Sequence, residues 1–300
     1  MREHLPNFLI IGAMKSGTTT LYNDLKVQPQ VFLPNRKEPH DLLYPAVLTK
    51  RGRRRYMRLF KNCPDGHISG EASTHYTARP FYEGTAERAR QLLGGNTKIV
   101  YLVRNPVDRT ISHFQHAYAK GAAELPMLHA FQADCRFLSI SQYAMQIDPW
   151  VEQFGWQNIR IIQFEHYVAD RQQSLMDLGR FLGFDAAPRL LDLEKKFNEG
   201  EGNRLWPKSM EAFINSNLCR ILLDPILSPR LRETARRILA PRPRPRPAPP
   251  EAGVIDYVID AVKEDSKRFS ELISIPFWDW DATRDRYTSL RNRSENRVKG

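Results

Sequence analysis

The sequence predicts a three-layer α/β fold, with a central parallel sheet, helices on both faces and a helical C-terminal part. Three observations predict it. Short apolar runs at 8–12, 98–103 and 159–164 are each followed by a helical pattern, at 18–27, 107–120 and 170–183. That alternation is the signature of βαβ units. A glycine-containing turn joins the first strand to the first helix, and beyond about residue 205 only helical patterns remain, at 208–223, 229–239 and 254–273.

The first unit carries the most chemistry. In FLIIGAMKSGTTT (8–20) an apolar strand feeds a loop with Gly12 and Gly17, then three threonines, then Leu21 and Leu25 one helical turn apart. A strand, a glycine loop and a helix N-terminus form a nest of backbone N–H groups, to which the helix dipole adds about half a positive charge. The turn is P-loop-like but departs from the nucleotide-triphosphatase pattern, in which Lys and a Mg²⁺-binding Ser or Thr directly follow the last glycine. Here Lys15 precedes Gly17 by two residues, and Thr18 and Thr19 follow it. The later strand KIVYLV ends in Arg104, not in an acid that would hold a metal. The loop is therefore expected to hold phosphate without a metal ion, through Lys15 and the amides of Ser16, Gly17, Thr18 and Thr19.

The second unit, KIVYLVRNPVDRTISHFQH (98–116), repeats the logic. Arg104 and Asn105 stand where a buried strand leaves the sheet, the usual binding edge of a parallel α/β fold. Pro106 suits the first turn of a helix, and Ser112 lies within its first turns. A guanidinium and a hydroxyl so placed can hold a second phosphate, so one ligand with two separate phosphates is expected. In the third unit Leu175, Leu178 and Leu182 share a helix face, with Gly183 as C-cap. PRPRPRPAPP (241–250) is expected to be an extended polyproline surface linker, since proline blocks helix and ladder alike. The polar, basic stretch 282–300 reads as a disordered tail, leaving one domain over 1–281.

Composition sets limits on these readings. The 300 residues are 41% hydrophobic and 26% charged, ordinary values for a globular protein. No apolar run is long enough to span a membrane, and the N-terminal stretch lacks a signal-peptide pattern. Cys63, Cys135 and Cys219 are widely spaced and odd in number, which argues against a disulfide framework or zinc site and favours small buried side chains in a reducing compartment. A cytoplasmic location is the expectation. The net charge of +11 is local: 50–58 holds six basic residues and no acid, 241–250 adds three, and 282–300 has six against two acids. Such clustering points to an anionic surface or acceptor more than to nucleic acid.

Together these motifs resemble the sulfotransferases that use 3′-phosphoadenosine 5′-phosphosulfate (PAPS), in the branch that includes heparan sulfate sulfotransferases and bacterial homologues. Lys15-Ser16-Gly17-Thr18-Thr19 is similar to the family's 5′-phosphosulfate loop, and Arg104-Asn105-Pro106 with Ser112 to its 3′-phosphate motif. KEPH (37–40), GEASTHY (70–76) and 154–184 extend the match, and FNEGEGNR (197–204) is similar to a late loop that closes over the nucleotide. The resemblance covers roughly 6–280. It implies a metal-free transfer of a sulfuryl group from PAPS to a hydroxyl or amine of a carbohydrate, glycolipid or small molecule, releasing 3′,5′-ADP. It implies that Gly202, Asn203 and Arg204 help bind the nucleotide, that Lys15 stabilises the leaving phosphate, and that Glu38 is the catalytic base. His75 and His40 are the rival bases, because cytosolic sulfotransferases use histidine. Where the heparan enzymes carry a lysine after the strand-end glutamate, Glu71 is followed by Ala72, which argues against a heparan-like polysaccharide. Tyr76, Trp150, Trp156 and Trp206 are candidates to line an acceptor site, with a core position the default for each. The alternatives from other classes are a Mg²⁺-dependent small-molecule kinase and a non-catalytic polyanion-binding protein.

Overall fold

The computed structural model describes residues 4–194, 244, 246–274 and 278–299. Its centre is a five-stranded, wholly parallel sheet in the order β2-β3-β1-β4-β5. The strands are β1 (Phe8–Gly12), β2 (Val31–Phe32), β3 (Ile68–Ala72), β4 (Lys98–Val103) and β5 (Ile159–Gln163). The chain runs from β1 outward to β2 and β3 on one side, then crosses to β4 and β5 on the other. The loops that follow β1 and β4 therefore diverge, making the crevice in which open α/β sheets bind ligands.

The helices are α1 (Thr18–Lys26), α2 (Lys50–Met57), α3 (Thr85–Leu93), α4 (Pro106–Ala119), α5 (Met127–Ala133), α6 (Arg136–Ser139), α7 (Tyr143–Phe154), α8 (Phe164–Ala169), α9 (Arg171–Leu182), α10 (Ala252–Ile273) and α11 (Trp280–Lys299). Alternation along the buried strands assigns the two faces. Phe8, Ile10, Val100 and Leu102 pack against Leu21 and Leu25 of α1 and Leu175 and Leu178 of α9. Leu9, Ile11, Ile99, Tyr101 and Val103 face Ala89 of α3, Ile147 and Trp150 of α7 and Phe269 of α10. A third cluster joins Val107, Ile111 and Phe114 of α4 to Phe131, Phe137, Ile255, Ile259 and Tyr287.

Buried polar ties fix the helices that carry site residues. Arg171 grips Asp24 of α1 through Nη2–Oδ1 at 2.5 Å and Nε–Oδ2 at 3.1 Å, and the Tyr167 hydroxyl donates to the same carboxylate. Gly183 takes the left-handed conformation at φ 85° and caps α9 as its position predicts.

Several expectations need correction. The stretch from 282, read as a disordered tail, continues α11, and Thr283, Arg286 and Tyr287 anchor it to the start of α4. Part of its charge pairs with a buried acid, which composition cannot reveal. Cys135 is exposed, whereas Cys63 is buried as expected. The helices expected at 208–223 and 229–239, with Cys219 and Trp206, lie outside the described residues, and the described part of 241–250 has no regular secondary structure. Among the described residues no helix is long and apolar enough to cross a membrane.

Candidate active site

The phosphate loop leaves β1 through three residues with positive φ: Gly12 at 153°, Lys15 at 71° and Gly17 at 87°. Gly17 is obligatory on two counts. Its backbone is left-handed, and a Cβ there would sit 2.5 Å from the Phe164 ring. It is also the N-cap of α1 and offers no side chain to the first-turn amides. The N–H groups of Thr18 and Thr19 therefore point into the crevice with no acceptor inside the helix. The Ser16 hydroxyl is buried without a hydrogen-bond partner among the described residues. An orphaned hydroxyl, uncapped amides and a lysine fit an anionic phosphate group.

Arg104, at the end of β4, reaches the same loop: its Nη1 donates to the Lys15 carbonyl at 3.4 Å, and its guanidinium lies over the Phe164 ring at 4.9 Å. Asn105 caps α4, its Oδ1 accepting from the amides of Val107 (3.0 Å) and Asp108 (3.2 Å). Its own N–H donates to Glu165 Oε1 at 2.8 Å. Ser112 is half-buried on α4. Lys15, Ser16, Gly17, Thr18, Thr19 and Arg104 are thus brought together at one crevice, beside the helix that carries Ser112. Gly202, Asn203 and Arg204 lie outside the described residues.

The crevice is strongly electropositive. Burial, and then the neighbouring Arg104, lower the Lys15 ammonium from 10.5 to about 8. Behind it Arg109 is fully buried and, among the described residues, bonded only to neutral groups: the Ser141 and Thr110 hydroxyls, the Phe137 carbonyl and His113 Nδ1. Burial pushes His116 down to about 4, with Lys15 and Lys120 adding to the effect, so its imidazole is neutral. A buried guanidinium without a carboxylate is costly in the free protein and is compensated when an anion arrives. Arg109 escaped the sequence reading, although a lone arginine on the apolar face of α4 was a visible signal. Phe164, beneath Arg104, gave none.

The second cluster sits at the C-terminal end of β3, beside β1. The Glu38 amide donates to the Ala72 carbonyl at 2.9 Å, and Ser73 N donates to the Ile10 carbonyl at 3.0 Å. Glu38 and His40 both have positive φ, 57° and 62°. Glu38 Oε1 is paired with Lys37 Nζ, while Oε2 accepts from Thr74 N at 2.7 Å and Thr74 Oγ1 at 3.3 Å and lies 3.2 Å from His40 Nε2. Burial alone would raise the Glu38 pKa. The contacts with His40, Lys37 and Thr74 outweigh it and hold the carboxyl at about 2. His75 packs edge-on against His40 at 4.8 Å, and burial followed by His40 lowers its pKa. The donor atoms of Glu38, His40 and His75 lie within 4.8 Å of one another, a metal-type grouping that the metal-free expectation did not foresee. Both Glu38 oxygens are already engaged, however.

Flanking residues support this loop. Arg88 donates to the carbonyls of Leu42 (2.7 Å) and Leu43 (3.0 Å), and Arg55 of the basic helix α2 pairs with buried Asp41 at 2.7 Å. Lys50, Arg51, Arg53 and Arg54 of α2 are exposed. Tyr76 and Trp150 are core residues, and Trp156 is exposed.

Beneath the loop, Glu71 is fully buried, and neither carboxylate oxygen has a close hydrogen-bond partner among the described residues. Burial above all, aided by the charges of Asp41 and Glu38, raises it to about 8 against the opposing effect of the Tyr76 and Tyr56 hydroxyls. A raised carboxyl pKa means that the native state binds the extra proton, so stability falls as pH rises from about 4.5 towards 8. Glu71→Gln should remove that slope, which is at most about 1.4 kcal/mol per pH unit. Melting temperatures across about pH 4.5–8 test this, and parallel curves for the two proteins would refute it.

A crevice at the sheet's switch point, with Lys15 and Arg104 at the phosphate loop and the Glu38 carboxylate at the neighbouring strand end, combines an anion-binding loop with a proton-accepting group. The family comparison gives the class: residues 5–199 match the sulfotransferase domain family, and the chain belongs to it. It is 30% identical over 196 residues to human heparan sulfate glucosamine 3-O-sulfotransferase 6, an alignment covering 61% of this chain and 53% of that protein. It is 33% identical over 133 residues to the membrane-associated sulfotransferase kil1 of Dictyostelium discoideum, covering 43% and 27%. The chain spans about half the length of the heparan-type relative. Among solved structures, a sulfotransferase from Alicyclobacillus acidocaldarius superposes with a TM-score of 0.63 at 23% identity, covering 93% of this chain and 99% of that one. The fold is shared.

Proposed function

We propose that the protein transfers the sulfuryl group of PAPS to a hydroxyl or amine of a carbohydrate, glycolipid or small molecule and releases 3′,5′-ADP. The observation that carries this is the convergence of the two segments at one crevice: the Arg104 guanidinium, from the end of β4, donates to the Lys15 carbonyl of the β1 loop. Lys15 and the amides of Ser16 to Thr19 bind the 5′-phosphate and meet the charge that grows on it as the S–O bond breaks. Arg104 and Ser112 hold the 3′-phosphate. Glu38 takes the acceptor's proton. Its low pKa is compatible with that role, because in a loose transfer the nucleophile's proton leaves late, when the attacking oxygen is turning into a strongly acidic protonated ester.

A carbohydrate acceptor accords with the heparan sulfate relatives, whereas Ala72 in place of the family's lysine points to a less anionic glycan or a small molecule. The test is calorimetric titration with 3′,5′-ADP and with ATP plus Mg²⁺, followed by an acceptor screen with labelled PAPS in EDTA. Selective binding of the bisphosphate and transfer in EDTA are expected. A preference for ATP with Mg²⁺ and no transfer of label from PAPS would overturn the reading in favour of a kinase.

A further inference from the structure

We infer that Arg286, on the C-terminal helix α11, sets the selectivity for the 3′-phosphate by neutralising Asp108 in the first turn of the helix that follows Arg104. This rests on the reading of Arg104, Asn105 and Ser112 as the 3′-phosphate site. Two carboxylates flank that site. Glu165 accepts the Asn105 amide, and Asp108 is buried in the first turn of α4, four residues after Arg104. A phosphate dianion bound there would be repelled by both.

The structure places a cation against the more buried of the two. Arg286 forks onto Asp108, with Nη1 at 2.7 Å from Oδ2 and Nη2 at 2.8 Å from Oδ1, and the Tyr287 hydroxyl donates to Oδ1 at 2.8 Å. One turn earlier, Thr283 Oγ1 accepts from Asn105 Nδ2 at 3.1 Å. Positions 283, 286 and 287 share one helix face, and all three grip the Asn105–Asp108 segment. The Arg286 side chain is 48% exposed against 8% for Asp108, so the cation covers the buried acid from the solvent side, in the first turn of the helix that follows Arg104. Without Arg286, Asp108 is left as a buried charge with no counter-ion, next to a site that must accept two negative charges. Arg286 is a positioning and charge-balancing residue and takes no part in sulfuryl transfer itself.

The test compares 3′,5′-ADP with 5′-AMP, which lacks only the 3′-phosphate, by calorimetry on the full chain. Wild type should prefer the bisphosphate; if it does not, the underlying site reading fails. In Arg286→Ala the affinity for 3′,5′-ADP should drop by roughly tenfold to a hundredfold while that for 5′-AMP is nearly unchanged. Adding Asp108→Asn to Arg286→Ala should restore much of the loss, because the charge to be neutralised is gone, and Arg286→Lys should retain part of the preference. Wild-type selectivity in Arg286→Ala, or equal loss of both nucleotides unrelieved by Asp108→Asn, would overturn the inference and leave the site reading standing. The double variant also serves if Arg286→Ala alone does not fold.

Discussion

Glu38→Gln is expected to lower turnover by ~10²–10⁴-fold while leaving the affinity for 3′,5′-ADP within about twofold. The size of the effect follows from what an amide cannot do. The substituted side chain can still accept from Thr74, so the loop geometry survives, but it cannot take a proton from the acceptor. Glu38 lies at the end of β3 while the nucleotide cradles follow β1 and β4, which is why binding and chemistry should separate. The competing view makes Glu38 a loop-closing partner of Lys37. On that view the variant loses melting temperature and keeps its turnover, so the two measurements made together decide. His40 supplies a second check. Its Nε2 faces Glu38 Oε2, so His40→Ala should remove one of the interactions that depress the carboxyl. Glu38 would become a stronger base, and turnover would fall far less than in Glu38→Gln. A loss in His40→Ala as large as in Glu38→Gln would move the proton-accepting role to the histidine.

How legible these features were depends on which contacts shaped each segment. β1 and β4 announce themselves because strands at the centre of a parallel sheet are apolar on both faces, and the edge strand β5 is legible because three of its five residues are isoleucine. β3 does not. Gly70 is there because a Cβ would meet the Phe8 ring at 2.2 Å, and Glu71 is a buried acid, so ISGEA carries neither an apolar run nor an alternation. β2 has only two residues and leaves no pattern. The phosphate loop was readable because its chemistry is local, confined to a short turn with fixed backbone demands. The environment of Glu38 was not: His40 and Lys37, which do most to reverse its pKa shift, are near in sequence but reach the carboxylate through a left-handed backbone at Glu38 and His40, and Thr74 adds a donor from 36 residues away. α11 was hidden by its own charge. Its anchors repeat at i, i+3 and i+4, yet Thr283 and Arg286 bond polar atoms at the start of α4 and of the three only Tyr287 also joins a hydrophobic cluster, so no apolar stripe marks the helix.

Lys15→Ala should reduce turnover by ~10²–10³-fold at saturating PAPS, the range found when a donor to developing negative charge is removed. Lys15 differs from Arg104 in where its charge acts. In the proposed reaction Arg104 serves a phosphate that carries the same charge before and after transfer, so removing it should raise KM more than it lowers kcat. In that reaction Lys15 serves the phosphate that gains charge as the bond to sulfur breaks, so its loss should appear in kcat. Its lowered pKa supplies an independent signature. In the free protein the ammonium titrates at about 8, and bound phosphate favours the charged form and moves that value upward. Below about pH 8 the ammonium is already protonated and affinity for 3′,5′-ADP is flat. Above it binding must take up a proton, and affinity should fall up to about tenfold per pH unit until the bound-state value is reached. Lys15→Ala should bind more weakly at about pH 7 and lose this dependence between roughly pH 7.5 and 9.5. Calorimetry in two buffers of different ionisation enthalpy reads the proton directly. Wild-type binding with no proton uptake above about pH 8 would show that Lys15 does not contact the nucleotide, and the leaving-group role would then pass to the backbone amides of α1 alone.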